Sequence, residues 1–147
     1  MRRRRAAHAD STPAPGRCPP EGLGAAGGVR PYCKPCNAER VRLGHYNVTK
    51  EFVHRLLEFQ RGSCAICGSR NAGSKSLHID HDHVCCPSRR SCGDCVRGLL
   101  CSGCNWIGLA WYEALPAKLR TFDVLNAYLA DPPAQQLRTR LAATRGQ

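Results

Sequence analysis

Cys64-Ala-Ile-Cys67, then His78-Ile-Asp-His-Asp-His83, then Cys101-Ser-Gly-Cys-Asn105 is the stretch that decides how this chain is read. A Cys-x2-Cys turn aims two thiolates at one point, and two such turns complete a tetrahedron with arms of about 2.3 Å around zinc. The spacing therefore predicts one structural zinc on Cys64, Cys67, Cys101 and Cys104, with no open position. Two unrelated thiol pairs are the alternative, and they would leave four reactive thiols with no role. Between the pairs, Asp80, His81, Asp82 and His83 are consecutive. Carboxylates suit a hard cation such as Mg²⁺, and imidazoles suit proton transfer near neutral pH. Asn105 follows Cys104 directly, and its amide oxygen is a neutral ligand for the same kind of ion. A further zinc site or a structural polar turn is the plainer reading of the His/Asp run.

Composition supports a small metal-stapled domain. The 147 residues include 11 Cys, 14 Gly and 10 Pro but only 3 Phe and 2 Trp. So few large side chains make a modest core, which usually needs staples. Against 11 Asp+Glu stand 22 Lys+Arg, a formal net charge of +11 that attracts polyanions, nucleic acid first. Met1–Arg5 is followed by Ala, His, Asp, Ser and Pro rather than an apolar run, so no secretory leader is expected. Nothing approaches the roughly 18 to 20 apolar residues of a membrane span. The expected setting is cytoplasmic and reducing, where paired cysteines hold zinc more often than they form disulfides.

Working outward, residues 1–30 read as a basic, mostly disordered arm. Residues 31–46 read as a Cys-x2-Cys knuckle (Cys33, Cys36) and a short basic helix ending at Gly44, with Arg40 and Arg42 as candidate DNA contacts. Cys18, Cys33 and Cys36 are candidates for a third zinc, completed by His45 or His8 or left incomplete. Thr49 predicts an N-cap for a helix over about 50–60, with Phe52, Val53, Leu56 and Leu57 as its apolar stripe. Strands are expected at 77–81 and 96–100, and a helix from about Cys101–Cys104 through Trp111. A last helix after Pro116 carries Leu119, Phe122, Leu125, Tyr128 and Leu129. Asp131-Pro132-Pro133 ends it, and residues 134–147 read as a polar basic tail. In a regular strand Asp80 and His81 would face opposite ways, so both can act at one site only if the strand ends or twists there.

Taken in order, CAICG, L-x-IDHDH, VRGLLC and C-x2-CN resemble the recombination endonuclease VII family of bacteriophages, within the His-Me finger (HNH-type) nucleases. The resemblance covers roughly residues 46–132, most of the nuclease domain drawn at 47–133. It implies a small α+β fold: a zinc-stabilised ββα-metal core with flanking helices and an N-terminal zinc knuckle. By resemblance, Asp80 and Asn105 hold a catalytic Mg²⁺ or Mn²⁺, and His81 is the general base. His83 contacts phosphate or assists, and Arg97 meets the DNA backbone or caps the hairpin. The implied activity is Mg-dependent DNA endonuclease cleavage, with branched DNA or Holliday junctions as the family substrate. A homodimer and a phage-encoded or bacterial-host origin are also implied.

The chain departs from that family in two places. Residues 84–95 carry Cys85, Cys86, Cys92 and Cys95, candidates for a second zinc unless only Cys92 and Cys95 pair or the thiols stay free. The family prototype also continues into a long helical C-terminal region, whereas little follows Pro133. A sequence-tolerant nicking endonuclease is therefore kept beside junction cleavage. The rival from another class is a non-catalytic zinc-ribbon nucleic-acid-binding protein.

Overall fold

The computed structural model describes residues 33–70 and 77–146. The chain divides into two compact units, Met1–Arg40 and Val41–Gln147. Of the first unit only residues 33–40 are described, so the arm and Cys18 lie outside the described residues. Residues 34–40 form the start of α1 (Lys34–Tyr46), whose first turn is closed by the Asn37 N–H on the Cys33 carbonyl at 2.9 Å. Cys36 therefore sits in a helical turn.

In the second unit, α1 runs past Gly44 and stops at Asn47, whose φ of 48° takes the left-handed conformation. The helix outlasts its glycine because nothing at Gly44 forces an exit. Helix α2 (Lys50–Phe59) starts as read, with the Thr49 hydroxyl accepting from Phe52 N–H at 3.1 Å. Leu56 is fully buried while Leu57 lies at the edge of the stripe, 36% exposed. Burying Leu56 contributes about 1.5–3 kcal/mol.

Strands β1 (His78–His81) and β2 (Val96–Leu100) form one antiparallel pair. The register pairs Asp80 with Gly98 but His81 with Val96, so Arg97 is the extra residue of a β-bulge. All five residues of β2 are buried. Its free edge is covered by a side chain: Gln60 donates to the Leu99 carbonyl at 2.8 Å and accepts from Leu99 N–H at 2.9 Å. Leu56, Leu77, Ile79, Val96, Leu99, Leu100, Leu109, Tyr128 and Leu137 share the core with Cys64.

Past Cys101 the chain enters a π-helical stretch (Gly103–Leu109) that runs into α3 (Ala110–Ala114). The helix expected after Pro116 is broken into a 3₁₀ turn (Ala117–Leu119) and α4 (Asp123–Ala130). Buried Tyr112 explains the break, since its hydroxyl accepts from Phe122 N–H at 3.0 Å and donates to Asn126 Oδ1 at 2.8 Å.

The expected polar tail is wrong. Residues Pro133–Arg145 form helix α5, with Pro133 in its first turn and Ala134 and Leu137 buried. Arg138 secures it, donating to the Gly93 carbonyl at 2.7 Å and the Asp94 carbonyl at 3.1 Å. Among the described residues, no helix is long and apolar enough to cross a membrane.

Candidate active site and the cysteine groups

Two groups of four cysteines could each hold a metal ion: Cys64, Cys67, Cys101 and Cys104, and Cys85, Cys86, Cys92 and Cys95. Within each, all sulfurs lie within 4.8 Å of one another. A tetrahedron with arms of about 2.3 Å has edges of about 3.8 Å. Sulfur separations of 3.8 Å for Cys67–Cys101, 3.9 Å for Cys85–Cys92 and 3.9 Å for Cys85–Cys86 match that edge. Both groups are thus compatible with structural zinc. The adjacent pair Cys85 and Cys86 joins the second group in full. Cys33 and Cys36 belong to neither group, and Cys18, the other thiol read for the third site, lies outside the described residues.

Crowded thiols compete for negative charge. In the first group the Ser69 hydroxyl helps bring Cys67 down to about 6, whereas burial pushes Cys104 up. In the second, the neighbouring Cys92 and Cys86 thiols push Cys85 up to about 12, while the Cys95 backbone N–H lowers Cys92 to about 7. A bound dication removes such competition, because it stabilises every thiolate at once.

The bulge sets the chemistry between the two groups. Both Asp80 and His81 are buried, at 4% and 5% exposure, despite their adjacency. Arg97, released from regular pairing, forks onto Asp80: Nε donates to Oδ2 at 2.8 Å and Nη2 to Oδ1 at 3.1 Å. The Tyr128 hydroxyl donates to Oδ2 at 2.7 Å. The other side of the guanidinium meets Glu113, with Nη1 to Oε1 at 2.7 Å and Nη2 to Oε2 at 3.1 Å.

Burial works against the Arg97 charge, but Glu113 and Asp80 outweigh it and hold the guanidinium firmly protonated. Burial and the Asp80 charge both push the Tyr128 phenol up, so it stays a donor. Gly98 makes room for this contact, since a Cβ there would lie 3.0 Å from the Tyr128 hydroxyl oxygen.

Of the two roles read for Arg97, DNA-backbone contact or cap on the hairpin, its partners match the second. Arg97 is 6% exposed and engaged on both sides by carboxylates. Of the other two arginines, Arg42 is spent on the Leu77 carbonyl at 3.2 Å, whereas Arg40 is on the surface and donates to Asn37 at 3.1 Å.

His81 turns Nε2 toward two backbone carbonyls, Cys86 at 3.2 Å and Ser88 at 3.3 Å. A carbonyl can only accept, so Nε2 carries the proton of the neutral ring and Nδ1 carries the basic lone pair. The His83 ring lies 4.4 Å from that of His81, and the Tyr46 ring meets His81 edge-on at 5.7 Å. Asp82 shapes the turn, its carboxylate accepting from Val84 N–H at 2.8 Å and its carbonyl from Cys86 N–H at 3.0 Å. Asn105 is half-buried in the π-helical stretch. Among the described residues no hydrogen bond joins it to Asp80.

Sequence reasoning missed Glu113 as the second partner of Arg97 and Tyr128 as a donor to Asp80. Tyr128 had been placed on an apolar stripe, where only its ring chemistry hinted at a buried partner. Glu113 carried no signal of its own.

A two-stranded hairpin pinned by cysteine groups, with an Asp–His pair at its bulge, defines a small cysteine-clamped α+β protein. Residues 39–129 match the family described as recombination endonuclease VII, and the chain belongs to that family. It is 36% identical over 95 residues to the Gene 59 protein of Mycobacterium phage L5, covering 65% of this chain and 51% of that relative. The Gene 59 protein of Mycobacterium phage D29 is 38% identical over 96 residues, with the same coverage. The chain thus spans about half the length of the curated relatives it matches. No solved structure matches it significantly.

Proposed function

We propose that the protein is a Mg²⁺- or Mn²⁺-dependent DNA endonuclease built on a ββα-metal (His-Me finger) core, acting in the cytoplasm of an infected bacterium. The observation that carries this reading is His81. It is buried beside Asp80 at the bulge, its Nε2–H is fixed by two carbonyls, and its Nδ1 is left as the base.

The donor chemistry of Asp80 and Asn105 fits a hard dication. Asp80 accepts three hydrogen bonds, from Arg97 twice and Tyr128 once. A carboxylate has about four acceptor positions, so one remains on Oδ1. Glu113 offsets Arg97, leaving one formal negative charge in excess across Asp80, Arg97 and Glu113. Asn105 would add an amide oxygen, carried by the residue after Cys104.

When bound, the ion stabilises negative charge on the phosphate and on the leaving 3′-oxygen. His81 Nδ1 takes the proton from water as the water attacks phosphorus; the P–O3′ bond breaks and the leaving 3′-oxygen takes a proton from solvent, giving 5′-phosphate and 3′-hydroxyl ends. The two backbone carbonyls keep the ring from turning as it becomes imidazolium. Arg97 and Tyr128 hold the Asp80 carboxylate in one orientation. His83, whose ring lies tilted beside that of His81, is proposed to contact the phosphate.

Supercoiled plasmid, linear duplex and a four-way junction, each incubated with Mg²⁺ and with EDTA, test the proposal. Mg²⁺-dependent cleavage is expected. Faster cutting of the junction would select junction resolution, and equal cutting would select sequence-tolerant nicking. Tight binding without cleavage of any substrate would replace the enzyme with a zinc-ribbon binding protein.

A further inference from the structure

We infer that Cys85, Cys86, Cys92 and Cys95 bind one zinc ion, and that this ion is a positioning device for His81, fixing the loop whose carbonyls hold its ring. The inference rests on the nuclease reading for the role of His81, but not for the zinc. The loop between the strands cannot hold itself by burial: Val84 is 91% exposed, and residues 83–90 are exposed except for half-buried Cys86.

Its two halves are secured very differently. The later half is tied to two helices. Ser91 N–H donates to the His45 carbonyl at 2.9 Å, Asn47 Nδ2 to the Cys92 carbonyl at 2.8 Å, and Arg138 to the Gly93 carbonyl at 2.7 Å. Gly93 is required there, since its φ is +96° and a Cβ would lie 2.6 Å from the Asn47 carbonyl oxygen.

Among the described residues the earlier half has, besides its His81 and Cys92 contacts, only bonds between near neighbours, such as those from Val84 and Cys86 to Asp82 and from Arg90 N–H to Ser88 Oγ at 3.1 Å. Yet this half supplies both carbonyls that meet His81. An ion on all four thiols ties Cys85 and Cys86 to the anchored Cys92 and Cys95. One ligand, Cys86, is also the residue whose carbonyl accepts the hydrogen bond from His81 Nε2 at 3.2 Å. Partners that orient a catalytic or metal-bound imidazole are typically worth about 10- to 100-fold in activity or affinity.

Zinc per chain is measured in wild type, Cys85→Ser, Cys92→Ser and Cys92→His, together with the ¹⁵N signature of the His81 imidazole and the plasmid-nicking rate. His81 is assigned by the loss of its signal in His81→Asn. Each Ser variant is expected to lose one zinc equivalent, to shift His81 from a single Nε2–H tautomer to a mixture, and to nick about 10- to 100-fold more slowly. Cys92→His, which keeps a zinc ligand, should restore the equivalent, the tautomer and most of the rate. Zinc content unchanged in both Ser variants would overturn the site. Loss of an equivalent with the His81 signature unchanged would overturn the positioning role, as would Cys92→Ser behaving like Cys92→His. If wild type cuts no DNA, the nuclease reading falls, while zinc content and the tautomer still decide this inference.

Discussion

Each of the two cysteine groups contains four thiols, one of them buried, but the segments they join differ. Cys64 is 3% exposed and packs with Leu99, Leu100 and Tyr128, while Cys101 and Cys104 rest against the same core. That group joins the turn after α2 to the helical stretch after β2, so it closes the protein's main hydrophobic cluster. In the second group Cys95 is buried, but Cys85 and Cys92 lie exposed on a loop with little apolar cover. With zinc bound, a clip in the core would decide whether the chain folds, and a clip in the loop would decide how one imidazole is held. A metal site is therefore read by what its loop encloses as much as by its ligands.

The comparison breaks most severely at the core group. Cys101→Ser combined with Cys104→Ser should abolish cooperative unfolding followed by far-UV circular dichroism. A structural zinc site is worth about 10–16 kcal/mol in small zinc domains, comparable with the whole stability of a domain. The single loop variant Cys92→Ser should instead keep a cooperative transition within a few degrees of wild type. A cooperative fold in the core double variant would erase the distinction between the groups.

Next in size is Arg97→Leu. It leaves Asp80 and Glu113 without their shared cation, and breaking a buried pair costs about 3–5 kcal/mol. Urea denaturation should show that loss, with both zinc equivalents retained. Stability within about 1 kcal/mol of wild type would mean that the ion cluster does not brace the bulge.

Two smaller substitutions sharpen the loop side. Gly93→Ala forces a left-handed φ and a contact on the Asn47 carbonyl, costing about 1–3 kcal/mol in urea denaturation. Asn47→Gly keeps the left-handed helix end and removes only the bond to the Cys92 carbonyl, costing about 0.5–1.5 kcal/mol. If Asn47→Gly cost more than Gly93→Ala, the anchoring described for the later half of the loop would be wrong.

Much of this was legible because it is local. Each Cys-x2-Cys turn, the Thr49 cap and the β-branched or leucine-rich strand residues announce themselves within a few positions. The bulge was anticipated only as a need, since Asp80 and His81 could share a site only in a distorted strand. Its consequence, Arg97 buried against Asp80, depends on Glu113 and Tyr128 arriving from helices 16 and 48 residues away from their partners. Single-sequence spacing cannot show that. Helix α5 was misread for another reason. Ala134, Leu137 and Leu141 follow helical spacing after a proline start, but the Gln and Arg residues between them give the segment the polar, basic character of a tail.

The central claim is that the thiols are scaffold while His81 carries the chemistry. The direct test compares His81→Ala with wild type for Mg²⁺-dependent nicking of supercoiled plasmid at equal protein and equal zinc content. The account predicts a rate at least about 100-fold lower for His81→Ala, with the zinc equivalents and the unfolding transition kept. Nicking by His81→Ala at the wild-type rate would contradict it.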